Sequence, residues 1–448
     1  MTSRSQPGDH TIGIWTCVAL VMGNMIGSGI FLLPAALASY GSISLVGWVF
    51  TSAGALVLAL MFSRLSREMP ANGGPYAYSR AGLGEFAGFW VAWGYWISLL
   101  CGNAAIAVAM VGYLAVVVPG FSAEGLGGAI AALAAIWILT VVNASGVRSA
   151  GRVQILTTVL KLLPLIAITG AGLFYIDTSN FQVANASDES TFSAISATAT
   201  LTLWAFLGLE SATVPAGNVS SARETIPRAT VIGTASVAVI YIASTVAIMG
   251  LMPMHELASS QAPFADAAML MWGDWAAYAV AIGAAISCFG ALNGWILLTA
   301  KVPMAAAQDR LFPDVFGRVS KSGMPVTGLI ISGVLATALV ATNYTRGLVG
   351  LFTFAILLST LTVLVPYAFS AAAELWLLRR ERAKTGVSQR GAVIIAVLAF
   401  IYSFWAMAGS GEEVVYYGFL LLVSGVPVYV WLRSTQDADD GLNDSRVA

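Results

Sequence analysis

The sequence predicts an all-α protein that crosses a membrane twelve times. Three observations carry that prediction. Hydrophobic residues make up 58% of the chain and charged ones only 10%, with a mean hydropathy of +0.82, a balance that water-soluble globular domains do not reach. Apolar segments long enough to cross a bilayer (about 20 residues) recur along all 448 residues. The basic residues also fall on alternate sides. If both termini are cytoplasmic, all 21 Lys and Arg lie inside except Arg346 and Lys161, the latter within a span. A wrong number of spans would scramble that asymmetry.

The expected span cores are residues 12–37, 43–63, 86–118, 127–147, 153–175, 194–217, 229–252, 270–300, 324–343, 347–378, 391–409 and 415–432, many with Trp or Tyr near their ends, as interfacial belts require. Segments 176–193 and 253–269 carry acids without Lys or Arg and are expected as outside loops. Segments 301–323, with Lys301, and 379–390 are expected as basic cytoplasmic loops. Residues 1–11 form a polar cytoplasmic tail that leads directly into a first span too long for the apolar core of a cleavable signal. Residues 433–448 form a cytoplasmic tail, polar from Asp437, Asp439 and Asp440 onward and expected to be disordered from Asp437 to Ala448.

Composition also excludes function classes. The net charge of −1 argues against nucleic-acid binding. Cys17, Cys101 and Cys288 all sit in apolar runs, and neither a metal-ligand spacing nor a disulfide framework is present. His10 and His255 lie in flanking loops and are expected to be solvated. An intramembrane enzyme would need an activated nucleophile with its base, and no Gly-x-Ser-x-Gly is present. No cofactor is implied.

The chain is organised around Gly23-Asn24-Met25-Ile26-Gly27-Ser28-Gly29. Three glycines in seven residues make poor helix. Within a bilayer, loosened backbone is tolerated only where protein or a water-filled cavity covers it. Gly23 and Gly27, four apart, also fit a close helix–helix contact. A second candidate interruption is Leu203-Trp204-Ala205-Phe206-Leu207-Gly208-Leu209-Glu210-Ser211 in the sixth span. Spans one and six occupy matching places in two five-helix halves, and paired interruptions of that kind point to a transporter binding site.

Lys161 and Glu210 are ionisable residues deep in spans, where charges are costly unless paired or functional. Lys161 lies about nine residues in from Arg152, too deep for its roughly 1.5 Å-per-residue helix to let it reach the near surface. Tyr95, Trp96, Trp204, Trp295 and Tyr367 fall near mid-span and offer stacking surfaces for a cationic or apolar substrate, or core filler. Asn24, Ser98, Asn103, Asn293 and Ser359 are placed to hydrogen-bond a substrate or to hold helices together.

Gly27-Ser28-Gly29-Ile30-Phe31-Leu32-Leu33-Pro34, Asn72-Gly73-Gly74-Pro75-Tyr76-Ala77-Tyr78, Leu203 through Ala212, Gly294-Trp295, Asp309-Arg310-Leu311-Phe312-Pro313 and Leu364-Val365-Pro366-Tyr367 carry a specific resemblance from about Gly13 to Arg433. The chain resembles the amino acid–polyamine–organocation (APC) transporters, and within them the bacterial arginine/agmatine exchangers. The resemblance implies a LeuT-like APC fold. Residues 12–175 would form one five-helix repeat and 194–378 a second, inverted one. Helices one and six would be broken, and 391–432 would supply the last two helices.

The resemblance also implies roles. Ile26, Gly27, Ser28 and Gly29 would hold a substrate carboxylate, and Trp204 with Ala205 would line the amino-group side. Trp295 would pack on the aliphatic stem, while Ser98, Asn103 and Ser359 would line the pocket towards the distal head group. Tyr95, Glu210 and Tyr367 would form an inner gate, with Glu210 sensing protons. The chain departs from the exchangers at Ser98-Leu99, where they have a short Ala-Cys pair, and at Lys161, where they have a small apolar residue. A lysine there resembles other branches of the family, in which the ammonium stands in for a sodium ion and serves proton or cation coupling. The implied function is exchange of a cationic amino acid such as arginine for its amine product such as agmatine, by alternating access in the bacterial inner membrane. The alternative is proton-coupled uptake of a neutral amino acid or polyamine. The implied partners are the amino acid or amine substrate and membrane lipid, with a homodimer as an option.

Overall fold

The computed structural model describes residues 11–121, 126–260, 262–346, 348–385, 389–408, 410 and 412–447. The expected tail at 1–10, with His10, lies outside the described residues. Among the described residues every extended element is helical; one isolated parallel bridge joins Ile12 to Val219. Among the described residues eleven helical segments are long and apolar enough to cross a membrane. Where the ninth of twelve spans is expected, the apolar helix Val326–Ala341 is shorter. The helix itself runs on to Arg346, 21 residues or roughly 31 Å, about the ~30 Å of a hydrocarbon core.

Helices α1 (Ile14–Met25) and α2 (Ser28–Ala38) share one apolar run, separated at Ile26-Gly27. Next come α3 (Ser44–Glu68), the short α4 (Pro75–Leu83), α5 (Glu85–Val117), α6 (Leu126–Ala144) and α7 (Val147–Gly172). Helix α8 (Thr191–Leu203) passes into a 3-10 turn at Trp204–Phe206, and no α-helix resumes until α9 (Ala222–Leu251). Short α10 (Met254–Ser259) and α11 (Pro263–Trp272) precede α12 (Asp274–Gln308). The chain ends with α13 (Val326–Arg346), α14 (Leu348–Thr385), α15 (Arg390–Ala408), α16 (Glu412–Val423) and α17 (Gly425–Val447).

Three expectations change. Segment 253–269, expected as an outside loop, holds helices, because Pro263 at a first helical position presets the turn that starts α11. Lys301 lies inside α12 instead of a loop; it is buried and donates to the Gly323 carbonyl at 3.2 Å. The backbone from 433 continues α17 through Val447, where the sequence suggests a polar tail. A helix already nucleated by its apolar part propagates without a new nucleation cost. Arg433 pairs with Glu85, and Gln436 donates to the Arg310 carbonyl at 2.5 Å.

Packing sorts the helices into two groups. Helix α9 packs along α1 and α3, and α3 also along α8. Helix α5 packs along α12 and α14, with α4 against α5 and α14. Helix α7 lies between the groups, touching α1, α9 and α12. The interrupted segments therefore face long, unbroken helices.

Candidate functional site

The end of α1 leaves carbonyls without intrahelical donors, as every helix C-terminus does. Here side chains from three other helices supply them. Lys161 of α7 donates to Gly23 O at 2.7 Å and to Ile26 O at 2.5 Å, and Ser287 of α12 donates to Ile26 O at 3.1 Å. Trp295 of α12 donates its indole N–H to Asn24 O at 3.2 Å. Tyr241 of α9 donates to Met25 O at 2.5 Å and to Ala205 O at 3.0 Å, bridging the two interruptions. Lys161 has no measurable exposure. A buried ammonium is tolerated there because it meets the negative end of the α1 dipole and two carbonyls.

Opposite this end begins α2. Its first N–H groups, at Ser28, Gly29 and Ile30, have no intrahelical acceptor by geometry, and no acidic side chain lies in its first turn. Such a terminus suits an anionic group. The Ser28 hydroxyl is buried without a partner among the described residues. Gly29 permits a close approach: a Cβ there would stand 3.0 Å from Cδ1 of Trp204 and 3.5 Å from Cα of Ala205.

In the sixth segment the helix stops as Leu207 turns extended (φ −66°, ψ 137°) and Gly208 takes φ +99°, a conformation that favours glycine. Asn24 Nδ2 donates to Ser211 Oγ at 2.6 Å, and Ser211 donates in turn to the Gly208 carbonyl. The two interruptions thus touch side by side.

Between them the rings of Trp204 and Trp295 lie 5.5 Å apart at 49°. Asn103 donates to Thr299 Oγ1 at 2.9 Å, while its own Oδ1 and that of Asn24 are buried without partners. Gly102 beside Asn103 lies directly against the Trp295 ring. Three buried oxygens without partners among the described residues, on Asn24, Ser28 and Asn103, thus lie on the segments that carry or touch the tryptophan pair. Towards the basic end of the bundle, Tyr95 and Tyr367 each donate a phenol hydrogen to one oxygen of the buried Glu210 carboxylate. That carboxylate ties α5 and α14 to the sixth segment.

The structure thus brings Ile26, Gly27, Ser28, Gly29, Asn103, Trp204, Ala205, Trp295, Lys161 and the Tyr95–Glu210–Tyr367 group around one centre. Ser98 and Ser359 lie on α5 and α14 but spend their hydroxyls on each other: their oxygens are 3.0 Å apart, and each donates to the other's carbonyl at 2.8 Å. Trp96 lies elsewhere, against Phe312 and Phe316, with its N–H on Ser332 at 3.0 Å. Asn293 holds α12 to α7 through the Ala150 carbonyl at 2.9 Å and Gln154 at 3.0 Å. Sequence reasoning missed Tyr241, Ser287 and Ser211. A phenol mid-span, in a run of Ala, Val, Ile, Ser and Thr, was the one available signal for Tyr241.

At the basic end a cavity of about 560 Å³ is lined by Asn72, Arg80, Glu85, Gln308 and Asp309 among others. Asp309 is ion-paired with Arg80 at 2.7 Å and accepts from Tyr76 at 2.8 Å. Burial, and the Asp309 carboxylate beside it, hold the Tyr76 phenol above its ordinary pKa. Among the described residues no group of His, Cys, Asp and Glu is arranged to hold a metal.

The cadaverine/lysine antiporter of Escherichia coli (strain K12) is 35% identical over 412 residues, 90% of this chain and 90% of that protein. The putrescine transporter PotE of the same strain is 32% identical over 426 residues, 95% and 97% respectively. PotE of Haemophilus influenzae is 33% identical over 421 residues, 94% and 96%. The family match for amino acid permeases runs over residues 12–428, nearly all of the spanning region, and the chain belongs to the amino acid permease (APC) family.

Proposed function

We propose that this protein exchanges a cationic amino acid for the amine left by its decarboxylation, across the bacterial inner membrane. It is a multi-pass membrane transporter of amino acids or amines, not an enzyme. In this reading twelve spans form two inverted five-helix repeats plus two helices, with both termini cytoplasmic. The Lys and Arg distribution supports that orientation. Substrate and lipid are the partners, and a second copy of the chain remains an option.

One observation carries the reading: the anion-seeking start of α2 and the unpartnered oxygens of Asn24 and Asn103 flank a tryptophan pair. A carboxylate binds at Ser28 and Gly29. The aliphatic stem lies on Trp295, and a cationic head is drawn to aromatic faces and amide oxygens. An amine that lacks the carboxylate keeps the second set of contacts, so both exchange partners fit one site.

The head group is a primary ammonium in preference to a guanidinium. Leu99 is apolar and buried, and the Ser98 and Ser359 hydroxyls are engaged with each other. One free amide oxygen on Asn103 serves the few donors of an ammonium better than the five of a guanidinium. The relatives named for cadaverine, lysine and putrescine support this choice over arginine and agmatine. Lys161, in place of a bound cation at the end of α1, supplies the coupling group.

The test is counterflow in proteoliposomes. Vesicles loaded with cadaverine, putrescine, agmatine or no amine are given radiolabelled lysine, ornithine or arginine. Uptake accelerated by a diamine inside supports the proposal. Uptake indifferent to every internal amine, but driven by a proton gradient, replaces it with proton-coupled uptake. Acceleration by agmatine alone restores the arginine/agmatine pair.

A further inference from the structure

We propose that Arg64 and Glu374 form a second, proton-released tie at the basic end of the bundle, separate from the Glu210 group. The Glu374 side chain, in the last third of α14, is 2% exposed and faces Arg64 Nε of α3 at 3.1 Å. Neither carboxylate oxygen has a well-directed hydrogen-bond donor among the described residues. Arg64 is 29% exposed, so the guanidinium reaches water while the carboxylate does not.

Other charged groups described on the elements packed against α14 are paired or exposed, and the remaining buried titratable groups there are the phenols Tyr78, Tyr113 and Tyr402 and the thiol Cys101. On α3, Arg67 and Glu68 are exposed. On α4, Arg80 and Tyr76 are held by Asp309, and Tyr78 is a buried phenol. On α5, Glu85 pairs with Arg433 and Tyr95 with Glu210. On α15, Arg390 is exposed and Tyr402 is buried; on α16, Glu412 and Glu413 are exposed. The described side chains of α13 include no titratable group. On α14 itself Tyr367 is held by Glu210, and Arg379, Arg380, Glu381 and Arg382 are exposed. Among the described residues Arg64 is thus the counter-charge of Glu374.

Helices α3 and α14 belong to different packing groups and meet only sparsely. If they part at this end, Glu374 loses its counter-charge while still buried. An unpaired buried carboxylate is strongly unfavourable. The carboxylate avoids that state by taking one proton from the aqueous phase to become a neutral carboxyl group, while Arg64 keeps its charge and is hydrated. Parting of the helices is therefore linked to uptake of one proton, and acid favours the parted state. Ser370 lies on the same face, between Tyr367 and Glu374 at i+3 and i+7 spacing, and its buried hydroxyl has no partner among the described residues. A path opened at the tie leads past Ser370 to the Glu210 tyrosines. The side on which it opens rests on the orientation proposed above; the tie does not.

The experiment labels Ser370→Cys in the full-length protein in proteoliposomes, with a membrane-impermeant maleimide added on one side or the other. The protein without this substitution gives the background from Cys17, Cys101 and Cys288. Each rate is divided by that of the unfolded protein at the same pH, which removes the reagent's own pH dependence. Lowering pH from about 8 to about 5.5 should speed labelling at least about fivefold when Glu374 is present, as expected when one proton controls opening. Adding Glu374→Gln should make labelling fast at both pH values, and adding Glu210→Gln should leave the pH dependence in place. Labelling indifferent to pH, or a pH dependence that survives Glu374→Gln, overturns the tie. Labelling from the opposite compartment overturns the orientation and leaves the tie standing. If Glu374→Gln alone does not fold, Arg64→Ala with Glu374→Gln removes both charges and should also label fast at both pH values. Slow labelling of that double variant overturns the proposal.

Discussion

The Lys161 ammonium lies 2.5 Å from the carbonyl oxygen of Ile26, the residue at which the first membrane helix stops. A charge belonging to α7 therefore completes the backbone of α1. Removing it leaves the Gly23 carbonyl with no side-chain donor and the Ile26 carbonyl with Ser287 alone.

Lys161→Ala should slow exchange at least about tenfold, while equilibrium binding of substrate changes less than about threefold; a buried carbonyl without its donor costs about 1–3 kcal/mol, and that cost falls on helix geometry rather than on substrate contacts. Binding and exchange measured in the same preparation check this. Wild-type exchange with an unchanged pH response would make Lys161 a packing residue.

Tyr241→Phe should destabilise the protein by roughly 1–3 kcal/mol, because it strips a donor from two buried carbonyls at once. Thermal unfolding in detergent should show a midpoint lower by several degrees. An unchanged midpoint would mean that neither contact, to Met25 or to Ala205, contributes to stability.

Trp295→Ala should weaken substrate binding by roughly 1–3 kcal/mol, about 5- to 150-fold, through lost contact area on an aromatic wall. The midpoint of unfolding should fall less than for Tyr241→Phe. Unchanged affinity would remove Trp295 from the pocket.

Glu210→Gln should flatten the pH dependence of exchange. The ionised carboxylate accepts from both Tyr95 and Tyr367, and hydrogen bonds to a charged acceptor are the stronger kind. Taking up a proton weakens the tie, so exchange by the wild type should quicken as pH falls. The glutamine variant holds the weaker bonds at every pH. A wild-type pH profile in this variant would make Glu210 structural.

The apolar helices were legible because the length of an apolar run is a property of the local sequence. So was the loosened stretch at Gly23 to Gly29, where glycine density opposes a helix in the middle of an apolar run. Lys161 was legible as a misplaced charge, and its partners turned out to be the carbonyls of that stretch. Tyr241 and Ser287 were not legible, since hydroxyl side chains in a membrane helix usually satisfy themselves on their own backbone, as Thr140 and Ser403 do here. The mutual engagement of Ser98 and Ser359 depends on the contact of two helices far apart in sequence. Glu374, near the end of the expected span 347–378, was not singled out, because nothing in its neighbours announces that α14 turns it inward.

The first and sixth segments are joined at three heights. The backbone of Ile12 is bonded to that of Asn218 and Ser220, the Asn24 side chain to Ser211, and one Tyr241 hydroxyl to both Met25 and Ala205. Mechanically this is a lever fastened at three points, with one shared degree of freedom in place of two. Spin labels on the two segments should keep a constant separation through the cycle while their distances to α5 change together.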